Sequence, residues 1–270
     1  MNVATYALLL CYMVAAFAGH VIFWQKRQEW TSLLISALWL GFGLQVFMLM
    51  TDGLRHGHAW GSASFNFVFV LVTLWTGSAV ILHALTRKNI MALFAGPIAL
   101  GCLAAASIFP VVSSPQESPL FKGAWLSLHI HLILLAYAAL GLGFMCATAY
   151  LATAFRLQQK KLLPANASVS LESLSTWVSR LNGGGLVLLS FGLVSGWIWA
   201  TLTWTGGWLL DAKVLASVTA WVLTGAVVFL RNRGKLQGRL GMWLTVLSFV
   251  VILLGLLLDR FIPSTYHRFL

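Results

Sequence analysis

Charge is what this sequence lacks most. Only 9% of its 270 residues are charged and 60% are hydrophobic, whereas a soluble domain carries about 25% charged residues. That excludes a water-soluble globular domain: the apolar surface exceeds what one soluble core buries, so lipid must be the solvent for much of it. Cysteine is scarce too. Cys11, Cys102 and Cys146 lie in apolar runs with no CxxC spacing, which excludes a disulfide framework, a zinc knuckle, a thiol redox motif and a CxxCH attachment site. They read as small packing residues. The first apolar run has no basic segment before it and no small-residue cleavage site after it, so it reads as a span and not a removable signal. No linker, compositional break or fixed-period repeat divides the chain, and a single integral membrane domain over residues 1–270 is expected.

What is present in quantity is apolar length. Runs long enough to cross about 30 Å of hydrocarbon as helix occur at roughly 4–24, 31–50, 64–85, 90–110, 127–153, 183–203, 212–230 and 240–260. The expected fold is all-α, a polytopic transmembrane bundle of about eight spans. The net charge of +11 does not point to nucleic acid, because the basic residues sit in short loops and form no contiguous stripe. Alternate connections hold Lys26 and Arg27; Arg87 and Lys88; Arg156, Lys160, Lys161 and Arg180; and Arg231, Arg233, Lys235 and Arg239. These are twelve of the 17 Lys and Arg residues. Cytoplasmic loops collect basic residues, so these face inward, and an even number of spans puts both termini outside. In the inner segment after span five, Ser170, Leu171, Leu174, Trp177, Val178 and Leu181 follow helical spacing. That predicts a short interfacial helix leading into span six.

On this topology His56, His58, His129, His131 and His267 lie at or near the outer face. His20 and His83 lie near the inner ends of spans one and three, where they read as satisfied packing histidines. Imidazole ligates haem iron and other transition metals. His129 and His131 are two apart and point about 200° away from each other on a helix, so they cannot share one ion. The outer connection between spans six and seven runs Trp204, Thr205, Gly206, Gly207, Trp208, Leu209, Leu210, Asp211, Ala212, Lys213, with Trp197 and Trp199 before it and Trp221 after it. Two readings stay open: an aromatic belt, since Trp gathers at membrane interfaces, or a contact surface for a flat macrocycle such as haem. The glycines permit a tight turn and close backbone approach. An Asp and a Lys at this depth require a partner or water.

The stretch Trp204, Trp208, Asp211, Lys213 and Trp221, approached by Gly192, Ser195, Gly196, Trp199 and Ala200, resembles the tryptophan-rich segment of the cytochrome c assembly superfamily. This is the CcsA, CcmC and CcmF group of haem-handling membrane proteins, and the chain is most similar to its short eight-span, CcsA-like YpjD type. Other segments resemble the family in the same order. "HIHLILLAYAAL" does so through His129 and Tyr137, "GHAWGSASFNFVF" more loosely through Gly57 and His58, and "STYHRF" through His267. Residues 183–240 carry the strongest likeness. The chain departs from the larger haem exporters at Leu210, Ala212, Val214 and Ala216, where they have tryptophan, proline, glutamate and tryptophan. Arg231 stands where they have an inner histidine, and arginine does not ligate iron.

The resemblance implies an integral membrane protein that presents haem, held non-covalently, at the outer face. His129 and His267 would be the axial metal ligands, with His58 a further candidate. Trp199, Trp204 and Trp208 would form the contact surface, while Lys213 would meet a propionate or pair with Asp211. It also implies a non-enzyme, multi-pass in a bacterial inner membrane, whose partners are haem, lipid and another cytochrome c assembly or membrane-complex subunit. The alternative is a transporter accessory or scaffold subunit that keeps the fold without haem. Few ionisable residues lie in mid-span, where an ion pathway would leave them, and Gln45 is one of few strongly polar side chains deep in a helix.

Overall fold

The computed structural model describes residues 3–56, 67–108, 124–160, 169–204, 206–236 and 238–261. Every regular element among them is helical: α1 (Val3–Gln25), α2 (Thr31–His56), α3 (Phe67–Thr86), α4 (Ile90–Ile108), α5 (Ala124–Gln158), α6 (Leu171–Thr203), α7 (Ala212–Asn232) and α8 (Gly238–Phe261), with 3-10 turns at Gln28–Trp30 and Trp208–Leu210. Seven helices are long and apolar enough to cross a membrane, and α4 contributes a shorter apolar stretch, Ile90–Ala104. The eight α-helices fall on the eight expected runs, and the chain is a multi-pass, all-helical membrane protein.

One expectation is corrected. There is no separate interfacial helix before span six: α6 runs unbroken for 33 residues, or about 50 Å at 1.5 Å per residue. Ser170 starts it, its Oγ accepting the Ser173 amide at 3.0 Å, as an N-cap hydroxyl does. No proline interrupts the stretch between the polar turn and the apolar span, so the hydrogen-bond ladder continues through Gly183, Gly184 and Gly185. α5 is similarly long at 35 residues.

The helices gather into two compact units. The first holds α1, α2, α3 from Val68, α4, the end of α5 from Thr148 and the start of α6 up to Ser175. Its centre is polar. The Tyr12 hydroxyl donates to Gln45 Oε1 at 2.6 Å and approaches Thr76 Oγ1 at 3.3 Å, while Gln45 Nε2 donates to the Phe69 carbonyl at 3.1 Å. Both polar atoms of Gln45 thus have partners although the residue is wholly buried, and it ties α1, α2 and α3 together. Small residues set the spacing: Gly41 lies under the Tyr12 ring, and Gly96 lies against the backbone of Ala15 and Ala16. Pro97, inside α4, has no N–H to give the Leu93 carbonyl four residues back. Gly19 of α1 sits against that same carbonyl, where a Cβ would come within 3.0 Å of the oxygen. Such close backbone approach through glycine is how helices associate where lipid is as apolar as leucine.

The second unit holds α5 up to Ala147, α6 from Thr176, α7 and α8. Asn182 of α6 donates to Thr245 Oγ1 of α8 at 3.1 Å, and its carboxamide occupies the space over Gly143 of α5. Tyr137 of α5 meets Ser217 of α7 at 3.2 Å, Trp221 Nε1 of α7 donates to Ser190 Oγ of α6 at 2.8 Å, and Phe144 stacks on Phe249 with centroids 5.0 Å apart.

The small-residue seam of the first unit predicts a contrast between two glycines in otherwise similar helices. Gly43 faces open space, so Gly43→Ala should be neutral or stabilising by up to ~1 kcal/mol through helix propensity. Gly19→Ala should lose stability, because the neighbouring atom is a backbone carbonyl that cannot swing aside. Thermal unfolding of the purified protein in detergent checks the sign of each; equal effects at both positions would contradict the close approach.

Candidate functional site

The end of the second unit that holds His129 is built on the pairing of α5 with α6. Four contacts hold one antiparallel register: Asn182 with Gly143, Gly185 with Leu140, Gly192 with Ile133, and Gly196 with His129. Steps of three, seven and four along α6 match the same steps back along α5, the spacing of one helical face. The seam ends at His129, whose imidazole lies flat in the gap left by Gly196. A Cβ there would fall 2.5 Å from Cε1 and 2.7 Å from Nδ1 of the ring.

His129 Nδ1 lies 2.8 Å from the Gly192 carbonyl, which also accepts Ser195 Oγ at 2.8 Å. A carbonyl oxygen only accepts, so Nδ1 carries the hydrogen, and in the neutral ring the lone pair resides on Nε2. A backbone carbonyl fixing one nitrogen so that the other can donate to a metal is the usual outer-shell arrangement of metal-ligating histidines. The residues present therefore fit an imidazole-ligated group. His131 is exposed and does not share this seat, as the two-residue spacing predicts.

The tryptophan loop is shaped by its glycines. Gly206 and Gly207 take φ of 63° and 77°, left-handed values that favour glycine, and the turn they make leads into the Trp208–Leu210 turn. Asp211 then caps α7, its Oδ1 accepting the Lys213 amide at 2.9 Å. A carboxylate at a helix N-terminus that takes a backbone N–H accounts for the burial of Asp211. The indoles pair edge to face: Trp199 with Trp204 at 4.8 Å and 80°, and Trp197 with Trp208 at 5.2 Å and 86°. Trp208 is 8% exposed, whereas Leu210 beside it is 80% exposed. The structure gathers Trp199, Trp204, Trp208, Asp211 and Lys213 into one loop and its flanks. His58 and His267 lie outside the described residues, so the axial pairing of His129 with His267 has no geometry here.

Sequence reasoning named Gly192, Ser195 and Gly196 as a motif but missed their part in seating His129, and it left Trp197 out of the site. The signal for the seat is the matched spacing of Gly185, Gly192 and Gly196 with Leu140, Ile133 and His129, which becomes legible only once the two helices are known to be antiparallel neighbours. At the other end of α7, Arg231 Nη2 donates to Ser179 Oγ at 2.9 Å and Nη1 approaches Met242 Sδ at 3.7 Å. This arginine ties α6, α7 and α8 together. His20 and His83 differ from the packing role expected of them. His20 is exposed beside Trp24, and His83 Nδ1 is buried without a hydrogen-bond partner. Among the described residues no group of three or more His, Cys, Asp or Glu gathers as a metal cluster.

Comparison with known proteins bears on the same segments. The chain is 24% identical over 265 residues to the cytochrome c biogenesis protein CcsA of Guillardia theta, covering 87% of this chain and 86% of that protein. It is 27% identical over 276 residues to the protein of the same name from Synechococcus sp. strain CC9605, covering 92% and 88%. No solved structure matches. The sequence model of the family described as Cytochrome C assembly protein matches residues 60–267, a span that takes in the α5–α6 seam, the tryptophan loop and α7. The chain belongs to the cytochrome c assembly protein family.

Proposed function

We propose that this protein handles haem in cytochrome c assembly, presenting it non-covalently at the outer face of the membrane with His129 as an axial donor. The observation that supports this most directly is the seat of His129: Nδ1–H held by the Gly192 carbonyl and the ring fitted over Gly196. Haem, as cargo, brings an iron that takes an imidazole lone pair and a porphyrin edge on which a partner's thiols react. The remaining work falls to this chain's own residues. The Gly192 carbonyl fixes the tautomer, and Gly196 fixes the ring plane. Asp211 anchors the loop that carries Trp204 and Trp208 to the start of α7, and Lys213 stands two residues on as a cation for a propionate. His267 completes the axial pair, with His58 the further candidate. The chain acts as a carrier and not an enzyme, and hands its cargo to another cytochrome c assembly or membrane-complex subunit. Its membrane is the bacterial cytoplasmic membrane in this reading, and the basic residues in alternate connections support both termini outside.

A second reading, a scaffold subunit that keeps the fold without haem, draws on two observations. The indoles of the loop are paired edge to face with Trp208 buried, and Arg231 is engaged between helices where the larger exporters have a histidine.

An absorption spectrum of the purified protein separates the two, since a haem carrier shows a Soret band and a scaffold does not. His129→Ala should weaken haem retention, with added imidazole restoring part of it, whereas His131→Ala should leave it unchanged. Gly196→Val keeps the imidazole but removes its seat, and should lower retention by roughly 10–100-fold, the range for lost outer-shell support of a metal ligand. Full retention in both His129→Ala and Gly196→Val would sink the assignment of His129.

Orientation has its own test. A cysteine placed at Gly206 should react with an impermeant thiol reagent added outside intact cells, and one placed at Asn232 should not. The reverse pattern would move the tryptophan loop to the cytoplasm and with it the whole outer-face reading.

A further inference from the structure

The first unit carries a polar site of its own, among the ends of α1, α3 and α5 and the starts of α2 and α4. Arg156, in the last turns of α5, is 2% exposed. Its guanidinium lies over the Phe23 ring at 4.8 Å and near Trp24 at 5.9 Å, a cation against aromatic rings. Two of its three nitrogens, Nε and Nη1, are buried with no hydrogen-bond partner. A buried arginine with two unpartnered nitrogens is under-satisfied, because contact with a ring does not serve N–H groups that point outward in the plane of the group.

Arg156 is not alone. Eight buried side-chain polar atoms among the described residues lack a partner, and seven of them belong to Gln28, His83, Asn89, Thr153 and Arg156. All five residues lie at this end of the unit. Gln28 is in the α1–α2 connection, His83 in the last turn of α3 and Asn89 just before α4, with Asn89 Nδ2 3.4 Å from Thr31 Oγ1 at the start of α2. Native proteins satisfy the great majority of buried polar groups, so a concentration of unsatisfied ones marks a place where something else supplies the partners. The set mixes donors on Arg156 and Gln28 with acceptors Gln28 Oε1 and Asn89 Oδ1. Donors of that kind suit phosphate oxygens, and acceptors suit hydroxyls beside them.

Charge and depth agree. Lys26, Arg87 and Lys160 follow the ends of α1, α3 and α5 and take φ of 60°, 57° and 54°, so three helices end on a basic residue in a left-handed conformation at this end. Phe23 lies two residues before the end of α1 and Arg156 two before the end of α5, so the guanidinium lies where these helices leave their apolar runs.

We propose that this end of the first unit binds the phosphate of a hydroxyl-bearing headgroup, of the phosphatidylglycerol type, with Arg156 as its principal donor and Gln28 and Asn89 taking the hydroxyls. The same glycerophosphate chemistry occurs in a soluble ester, and the test separates the two sources. It stands independently of haem.

Purified full-length protein, stripped of lipid in a neutral detergent, is titrated with phosphatidylglycerol, phosphatidylcholine or glycerol 3-phosphate, reading the melting temperature and lipid retention by native mass spectrometry. Phosphatidylglycerol should raise the melting temperature well above the effect of phosphatidylcholine. An equal rise with glycerol 3-phosphate assigns the site to the soluble ester and supports the same chemistry. Arg156→Gln should weaken phosphatidylglycerol binding by about tenfold or more, as expected for loss of a charge-assisted pair, while Arg233→Gln, at an exposed residue of the second unit, changes it less than about twofold. The lipid-free Arg156→Gln protein should melt at or above the wild-type temperature, since an unpaired buried charge has been removed. A purely structural arginine predicts the reverse, an equal fall in melting temperature with and without lipid, and that result overturns the proposal. If Arg156→Gln does not fold, Arg156→Lys keeps the charge but not the in-plane donor pair; wild-type affinity in that variant also overturns it.

Discussion

The close approach of α5 and α6 is the constraint on which the second unit depends. In lipid there is little hydrophobic drive between helices, so association falls to tight packing and interhelical hydrogen bonds. Here Gly143, Gly185, Gly192 and Gly196 open four places in one register, filled by Asn182, Leu140, Ile133 and His129. The two ends of that seam are polar. Asn182 at one end passes the connection to α8 through Thr245, and His129 at the other holds the Gly192 carbonyl. A packing device and a ligand-orienting device are thus the same row of residues, and the site inherits its rigidity from helices, not from a loop.

The first unit solves the same problem with a different mixture. Tyr12, Gln45 and Thr76 form a buried hydrogen-bonded centre in which each polar group has a partner. Gly19 meets the carbonyl that Pro97 leaves without its helical donor. Against that well-satisfied centre, the unpartnered atoms around Arg156 stand out as a separate kind of place. Hydrogen bonding in a low-dielectric interior is all or nothing in its consequences, so the two regions of one unit read as structure and as candidate site.

The tryptophan loop joins the architecture to the family's chemistry. Its two left-handed glycines and the Asp211 cap fix how the chain passes from α6 to α7, a cap worth about 1 kcal/mol. Edge-to-face indole pairs then fill the turn. Trp208 packs its ring on Trp197, while the exposed position beside it is Leu210. The aromatic character of the loop is therefore divided between holding the turn together and facing outward.

Composition alone determined that the chain lives in lipid, because 9% charged residues cannot solvate it. Apolar run length determined the eight helices, because bilayer thickness and helix rise set one length scale. Family membership was also legible, since the order Trp204, Trp208, Asp211, Lys213 is a property of the chain itself. The continuity of α6 was less so: the Ser170 region reads as polar surface, and only an unbroken backbone ladder tells an extended helix from a bent one. What tertiary structure alone decided are the pairings. That His129 sits over Gly196, that Asp211 serves a backbone amide, and that Arg156 lies against Phe23 with Nε and Nη1 unpartnered depend on which helices are neighbours and in what register. Periodicity along one helix carries its own face but not the identity of the face it meets.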